Sequence, residues 1–176
     1  FSPRMRKLTA ICICMTTILL AKSSPGETKK PAGNPSHFIG FEKFSNFKKE
    51  TANHEIILTS PEIKSPGAWN ELVVSWNADA PSGTYLKIEA RGIYPDHATK
   101  FYTMGLWSED AAKFPRESVE KQKDADGKVN TDTLILNQLC DKAQIRVTLG
   151  SADKNLAAKL KFIGLSFLND KVEVAP

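Results

Sequence analysis

Apolar and polar residues alternate along much of the chain from Glu55 onward, which is the pattern of strands with one buried face. The clearest segment is Thr84–Ala90, where every second residue is apolar and its neighbours are polar. The predicted strands are Glu55–Thr59, Glu71–Trp76, Thr84–Ala90, Phe101–Trp107, Val129–Leu136, Gln144–Leu149 and Leu160–Leu168. This density of short strands predicts an all-β chain, folded as a single β-sandwich of jelly-roll type.

The same alternation assigns side chains to the two faces of the sheet. In Thr84–Ala90, the residues predicted to face the core are Leu86, Ile88 and Ala90, and those predicted on the opposite, solvent-facing side are Tyr85, Lys87, Glu89 and Arg91. In Glu71–Trp76, Trp76 shares a face with Leu72 and Val74. We therefore place Trp76 in the core.

The N-terminus carries the pattern of an export signal. A basic patch, Arg4–Lys7, precedes the uncharged run Leu8–Ala21, which is shorter than the roughly 20 residues that cross a bilayer. Small residues at Ala21 and Ser23 predict cleavage after Ser23, with an uncleaved anchor as the alternative. The chain then divides into a signal peptide (1–23), a flexible linker (24–36), the β-sandwich domain (37–170) and a C-terminal linker (171–176). We expect a secreted or periplasmic protein with no membrane contact after cleavage.

Loss of the signal peptide changes the charge and the cysteine content. The full chain has 24 basic and 20 acidic residues, and four of the basic ones lie within 1–23, so the remainder has no net charge. A neutral domain lacks the basic face that nucleic-acid binding requires, and we expect no such partner. Of the 3 cysteines only Cys140 remains, which excludes a disulfide within the mature chain.

No catalytic set is recognisable in the residues. Cys140 is the only candidate thiol nucleophile, and it follows an apolar strand, where a free cysteine usually behaves as a small buried apolar group. The histidines are His37, His54 and His97, and their spacing matches no catalytic or zinc pattern. Asp96-His97 follows a proline and predicts a solvated loop. We therefore assign no catalytic residue.

The segment Asp124–Asn130 contains Asp126-Gly127, the strongest turn signal of the chain, with Val129–Leu136 as its return strand. It also has the look of a calcium loop. On the EF-hand template, however, position 1 falls on Gln122 and position 12 on Thr133, so two charged oxygen ligands are missing. We predict a polar turn, no metal and no cofactor; a calcium ion held by carbonyl oxygens is the open alternative.

Aromatic side chains are the better candidates for ligand contact. Trp69, Tyr85 and Tyr94 stand beside loops or on the polar face of a strand, where a flat ring could stack on a sugar. The alternative is that these rings fill the core, as most aromatic residues do. The partners expected from this set are polysaccharides or peptides of the cell envelope or the extracellular medium.

A series of ordered motifs covers about half of the chain. They are Leu58-Thr59-Ser60-Pro61, Trp69–Ala78 (WNELVVSWNA), Pro81–Thr84 (PSGT), Gly105–Ser108 (GLWS), Gln122-Lys123-Asp124, Val129–Leu134 (VNTDTL) and Gln144–Val147 (QIRV). In these motifs the chain resembles the N-terminal β-rich region of secreted bacterial proteins whose C-terminal half is a papain-like cysteine peptidase. Those peptidases (cysteine peptidase family thirty-nine) are related to the double-glycine leader peptidases of bacteriocin exporters.

The resemblance implies that catalysis belongs to a peptidase domain downstream of this region. Cys140, in Leu139-Cys140-Asp141, does not match the peptidase motif, in which the nucleophile precedes Gly-Pro or Ser-Pro. The segment 171–176 stands where a linker to that domain would begin. We therefore expect an exported accessory or binding module without catalytic residues. The alternatives are a hydrolase with an unrecognised site and an adhesive or structural envelope protein.

Overall fold

The computed structural model describes residues 36–119, 121–153 and 155–172, and in this part of the chain all regular secondary structure is β-strand. The strands are β1 (Ser36–Phe41), β2 (Lys48–Ala52), β3 (Glu55–Thr59), β4 (Ile63–Asp79), β5 (Thr84–Ile93), β6 (Tyr102–Trp107), β7 (Gly127–Asn130), β8 (Thr133–Ser151) and β9 (Lys159–Leu168). The all-β prediction is confirmed.

Several predicted segments lie wholly or partly outside the described residues. The signal peptide (1–23) is one of them, and so is the linker (24–36) apart from Ser36, which begins β1. The C-terminal linker (171–176) is described only at Lys171 and Val172. Among the described residues no helix has the length and apolar character to span a membrane.

The long strand β8 organises the sheet, because it pairs with four other strands. One edge of β8 pairs with β4 and then with β3, and the opposite edge pairs with β7 and then with β5. The remaining strands join outward from these: β9 and β1 beyond β4, β2 beyond β3, and β6 beyond β5. All of these pairings are antiparallel. Because β8 belongs to both sets of pairings, the predicted sandwich takes the form of one continuous sheet that curls about β8.

The curl creates two halves that share β8. The first half is β1-β9-β4-β8-β7, and the second half is β2-β3-β8-β5-β6. Both halves contribute to a single core cluster, in which Leu72 and Phe167 come from the first half and Leu86 and Met104 from the second. The halves meet closely: a methyl group added at Gly105 of β6 would lie 2.7 Å from Cη2 of Trp76 in β4. The two halves therefore pack on each other as the layers of a sandwich do.

The predicted turn at Asp126-Gly127 is present, but its return strand is shorter than expected. The amide of Asp124 donates to the carbonyl of Gly127, and only the short strand β7 follows. A second turn at Thr131 and Asp132, with φ angles of 43° and 63°, then reverses the chain into β8. Two successive positive φ angles are typical of the type I′ hairpin turn. The sequence did not reveal it, because threonine is unfavourable in this conformation.

Candidate functional site

The outer face of the second half carries a polar groove of about 530 Å³. The lining residues are Glu50, Glu55, Ile57, Thr59, Tyr85, Lys87, Glu89, Arg91, Phe101, Gln144, Arg146 and Thr148. They come from neighbouring strands because β3 and β5 pair with opposite edges of β8, so that alternate residues of all three strands point outward. We refer to this surface as the groove.

The floor of the groove is a buried ion cluster centred on Glu89. Arg146 binds its carboxylate with two hydrogen bonds, from Nε at 2.6 Å and from Nη2 at 2.8 Å, and Lys87 Nζ lies 2.9 Å from Oε1. Glu89 is only 3% exposed. Burial alone would raise the pKa of this carboxyl, but the hydrogen bonds and charges of Arg146 and Lys87 outweigh it and hold the pKa below its usual value. Glu89 therefore stays ionised and fixes both cations.

A pair of guanidinium groups packs against one phenyl ring at the end of the groove nearest the start of β6. The guanidinium carbons of Arg91 and Arg146 lie 4.5 Å and 4.1 Å from the centroid of the Phe101 ring. Arg91 is also held by Gln144, whose Oε1 accepts hydrogen bonds from Nε at 2.9 Å and from Nη2 at 2.6 Å. Both arginines are thus held in place by a ring and by hydrogen bonds.

Tyr85 occupies the opposite end of the groove. Its ring lies across Gly150 of β8, and its hydroxyl donates a hydrogen bond to Oε1 of Glu55 on β3. Phe114 packs on the same ring at a centroid distance of 4.7 Å. Burial, together with the hydrogen bond to Glu55, raises the pKa of Tyr85 to about 12. The tyrosine is therefore a neutral hydrogen-bond donor across the physiological range.

The position of Tyr85 depends on the missing side chain at Gly150, because a Cβ atom there would overlap the tyrosine ring. We expect Gly150→Ala to displace Tyr85 and to lower the free energy of unfolding by about 1–2 kcal/mol through overpacking. Denaturant unfolding measures this loss. Tyr85→Phe keeps the ring and serves as the control, with a loss of about 1 kcal/mol or less for the single hydrogen bond. A Gly150→Ala protein as stable as the wild type would contradict this geometry.

The structure places the three predicted ligand contacts in three different environments. Tyr85 lines the groove. Trp69 is 1% exposed and packs on Phe167 in the core. The prediction that Trp69 lies beside a loop and contacts a ligand is therefore wrong, because its ring has no face open to a ligand. Tyr94 is half-buried; its hydroxyl donates to the carbonyl of Gln138 at 3.2 Å and its ring packs 5.0 Å from that of His97. The three residues do not form one site.

Cys140 is buried at 4% exposure within the core cluster. Its Sγ lies 3.1 Å from the carbonyl oxygen of Ile93 and 3.0 Å from that of Lys142, and its single S–H proton is shared between these two acceptors. Burial raises the pKa of the thiol above its usual value. At neutral pH the side chain is a protonated thiol, in keeping with the small buried residue that the sequence predicts, and a thiolate nucleophile is disfavoured here.

In the Asp124–Asn130 turn, the alternative calcium site, the oxygens of the Asp124 carboxylate have partners within the protein. Oδ1 of Asp124 accepts hydrogen bonds from the Tyr102 hydroxyl at 2.5 Å and from the amides of Asp126 at 3.0 Å and Gly127 at 3.1 Å. Oδ2 lies 2.9 Å from Nζ of Lys100. Among the described residues no group of three or more potential metal ligands forms a site. The carboxylate therefore serves as the organising acceptor of this turn.

The hydrogen bonds at Asp124 make the fold sensitive to acid. Burial alone would raise the pKa of this carboxyl, but the donors around it lower the pKa to about 2, below its ordinary value of 3.8. A depressed pKa contributes stability that is present above about pH 4 and is lost as the pH falls towards 2. We expect Asp124→Asn to cost about 1 kcal/mol at pH 7 and to flatten the fall in stability below pH 4. Unfolding free energies measured between pH 2.5 and pH 7 test this, and Asp132→Asn, at an exposed position, is the control. If stability fell with pH in the same way in Asp124→Asn and in the wild type, the prediction would be contradicted.

His97 lies beside this turn, between two carboxylates. Its Nδ1 is 3.0 Å from Oδ1 of Asp96 and its Nε2 is 3.1 Å from Oδ1 of Asp126. These hydrogen bonds raise the pKa of the imidazole above its usual value. The solvated loop that the sequence predicts is thus an exposed ionic contact between two turns.

A second exposed surface, which the sequence did not indicate, lies on the outer face of the first half. Phe38 is 61% exposed, and its ring lies 6.4 Å from that of Phe162 with an angle of 21° between the planes. Both rings lie flat on the sheet over glycines: a methyl group at Gly40 would be 2.9 Å from Phe162, and one at Gly164 would be 2.8 Å from Phe38. Finding this pair requires the register of β1 and β9, which the sequence pattern does not supply.

Comparison with known proteins gives one match. Residues 41–167, from the last residue of β1 to the penultimate residue of β9, match the family model described as the peptidase C39 N-terminal domain. No curated protein and no solved structure matches the chain significantly. The family match covers both halves of the sheet and most of the chain, and it confirms the resemblance drawn from the sequence motifs. This chain therefore belongs to the family of peptidase C39 N-terminal domains.

Proposed function

We propose that this chain is an exported accessory module of a C39-type peptidase protein, and that it binds a ligand through the groove instead of performing chemistry. The observation that carries the proposal is the groove itself. Its floor is a rigid set of charged side chains, held by the carboxylate of Glu89 at 3% exposure, on a domain whose family precedes a peptidase. Polar groups that are held in place by neighbouring hydrogen bonds on a concave surface can fix the orientation of a ligand.

The chemistry of the remaining candidates supports a binding role over a hydrolytic one. The thiol of Cys140 is buried and protonated at neutral pH. His97, at the far end of β5, contacts two carboxylates and has no nucleophile among its hydrogen-bond partners in the described residues. The export signal predicted from 1–23 supports a role outside the cytoplasm.

The test is retention of the purified chain on immobilised peptidoglycan, envelope polysaccharide and extracellular peptides. We expect retention on at least one matrix, and Tyr85→Ala should weaken it because the tyrosine forms one end of the groove. Leu139→Ser, at an exposed position away from the groove, is the control. Peptidase and esterase assays run on the same samples. Measurable turnover, or the absence of retention on every matrix, would overturn the proposal.

Polysaccharide binding through the Phe38–Phe162 pair is a second candidate function. Two nearly parallel rings, one of them mostly exposed, offer flat apolar faces of the kind on which pyranose rings stack. Phe38→Ala should abolish polysaccharide retention if this surface binds it, and Tyr85→Ala should leave that retention intact. The reverse pattern would place binding in the groove.

A further inference from the structure

We infer that the groove takes an extended peptide whose carboxyl-terminal end is acidic, with a carboxylate of that end bound between Arg91 and Arg146. The inference rests on the binding role proposed above and names the class of ligand. It is carried by the balance of charges, the free donors and the covered aromatic faces of the groove.

The charges of the groove are unequal at its two ends. At the floor and at the Phe101 end, three cations, Lys87, Arg91 and Arg146, surround the carboxylate of Glu89. The other two carboxylates of the lining, Glu50 and Glu55, lie on β2 and β3, and Glu50 is paired with Lys48. The Phe101 end therefore keeps a net positive charge. At the far end Glu55 carries the opposite charge, beneath the hydroxyl of Tyr85. A peptide lying along the groove meets a positive end that suits a carboxylate and a negative end that suits an amino group.

Both arginines have donors to spare. Each guanidinium has five N–H groups, and within the described residues Arg91 uses two of its nitrogens on Gln144 while Arg146 uses two on Glu89. The other N–H groups are available to a ligand. Because Phe101 holds both planes in position, little side-chain entropy is lost when a carboxylate binds them.

The aromatic rings of the groove favour a peptide over a sugar. The Phe101 ring is already packed against two guanidinium groups, and the Tyr85 ring lies between Gly150 and Phe114. Their faces are therefore poorly placed to stack on a pyranose. The groove also follows β8 from Gln144 to Gly150, which at about 3.3 Å per residue is about 20 Å, the length of about six extended residues.

The test uses two synthetic hexapeptides and an isotope-labelled full chain. One peptide is Lys-Ala-Ser-Ala-Ala-Glu with a free carboxyl terminus, and the other replaces the glutamate by glutamine and amidates the terminus. We expect shift changes in the groove amides with the first peptide and at least about tenfold weaker binding of the second. Arg91→Ala should weaken binding at least about fivefold. Arg116→Ala, which removes an arginine packed on Trp107 outside the groove, should not.

Arg91→Lys provides a second variant if the alanine variant is unstable, because it keeps the charge and loses the fork geometry; weaker binding is expected there too. Equal binding of the two peptides, or unchanged binding by both Arg91 variants, would overturn the inference. The inference would also be overturned if polygalacturonate shifted the groove amides while neither peptide did, since the site would then recognise an acidic glycan. If the peptides fail but the chain is retained on another matrix, the binding role survives and only the ligand class is wrong.

Discussion

Replacing Glu89 with alanine is expected to lower the free energy of unfolding by about 3 kcal/mol. The change leaves Arg146 and Lys87 without the carboxylate that they share in the floor of the groove. Removing one partner of a buried ion pair costs about 3–5 kcal/mol, and the lower figure applies because both cations are partly exposed. For a domain of this size the melting temperature should fall by about 6–12 °C. Calorimetry and denaturant unfolding measure both quantities.

The matched control is Glu62→Ala. Glu62 forms a similar contact, with its Oε2 2.9 Å from Nζ of Lys142, but the two side chains are 53% and 42% exposed. An exposed pair contributes about 0–1 kcal/mol, so this variant should be close to the wild type in stability. Similar losses in the two variants would mean that the floor of the groove is as well solvated as the surface.

Gly127→Ala is expected to destabilise the β7–β8 hairpin by about 2–3 kcal/mol. A Cβ atom at Gly127 would overlap the carbonyl oxygen of Ile135 and lie 3.1 Å from Cα of Leu136. Both neighbours are backbone atoms, so no rotamer change relieves the contact, and the strand pairing itself must shift. Chemical denaturation should show the loss, and the amides of the Asp124 turn should change their chemical shifts.

Gly67→Ala separates backbone crowding from the general cost of replacing a glycine. A methyl group at Gly67 would lie 2.8 Å from Nε2 of His37, the far end of a side chain that can rotate away. We expect a loss below about 1 kcal/mol. If Gly67→Ala proved as damaging as Gly127→Ala, close backbone approach would not explain the requirement for glycine at the hairpin.

The strands were predictable because their signal is local. In Thr84–Ala90 the apolar positions all lie in the core, and Tyr85, Lys87 and Arg91 lie on the opposite face as the alternation indicates. Glu89 lies on that face too, but the prediction that it faces solvent is wrong: it is 3% exposed, where Lys87 and Arg146 bind it. The period of two is a property of neighbouring residues and needs no knowledge of the partner strand. The fold class followed from the number of such segments.

The groove was not predictable because it depends on pairing between distant segments. Glu89 and Arg146 are 57 residues apart, and only the register of β5 against β8 makes them neighbours. The burial of Trp69 was likewise not predictable, because it depends on how β4 pairs with its neighbours. Register shifts on both sides of this residue in β4 interrupt the alternation and turn two successive residues, Trp69 and Asn70, into buried positions. Irregular pairing of this kind leaves no trace in the spacing of apolar residues.

The shared strand β8 has a consequence for how the domain comes apart. Residues 133–143 of β8 hold the first half together and residues 142–151 hold the second, so the boundary between the halves falls inside one hydrogen-bonded strand. Unfolding of either half removes the partners of β8 residues that are continuous with those of the other half, so we expect the two halves to unfold together. The topology therefore favours cooperative unfolding, so a substitution that destabilises either half should lower the stability of the whole domain.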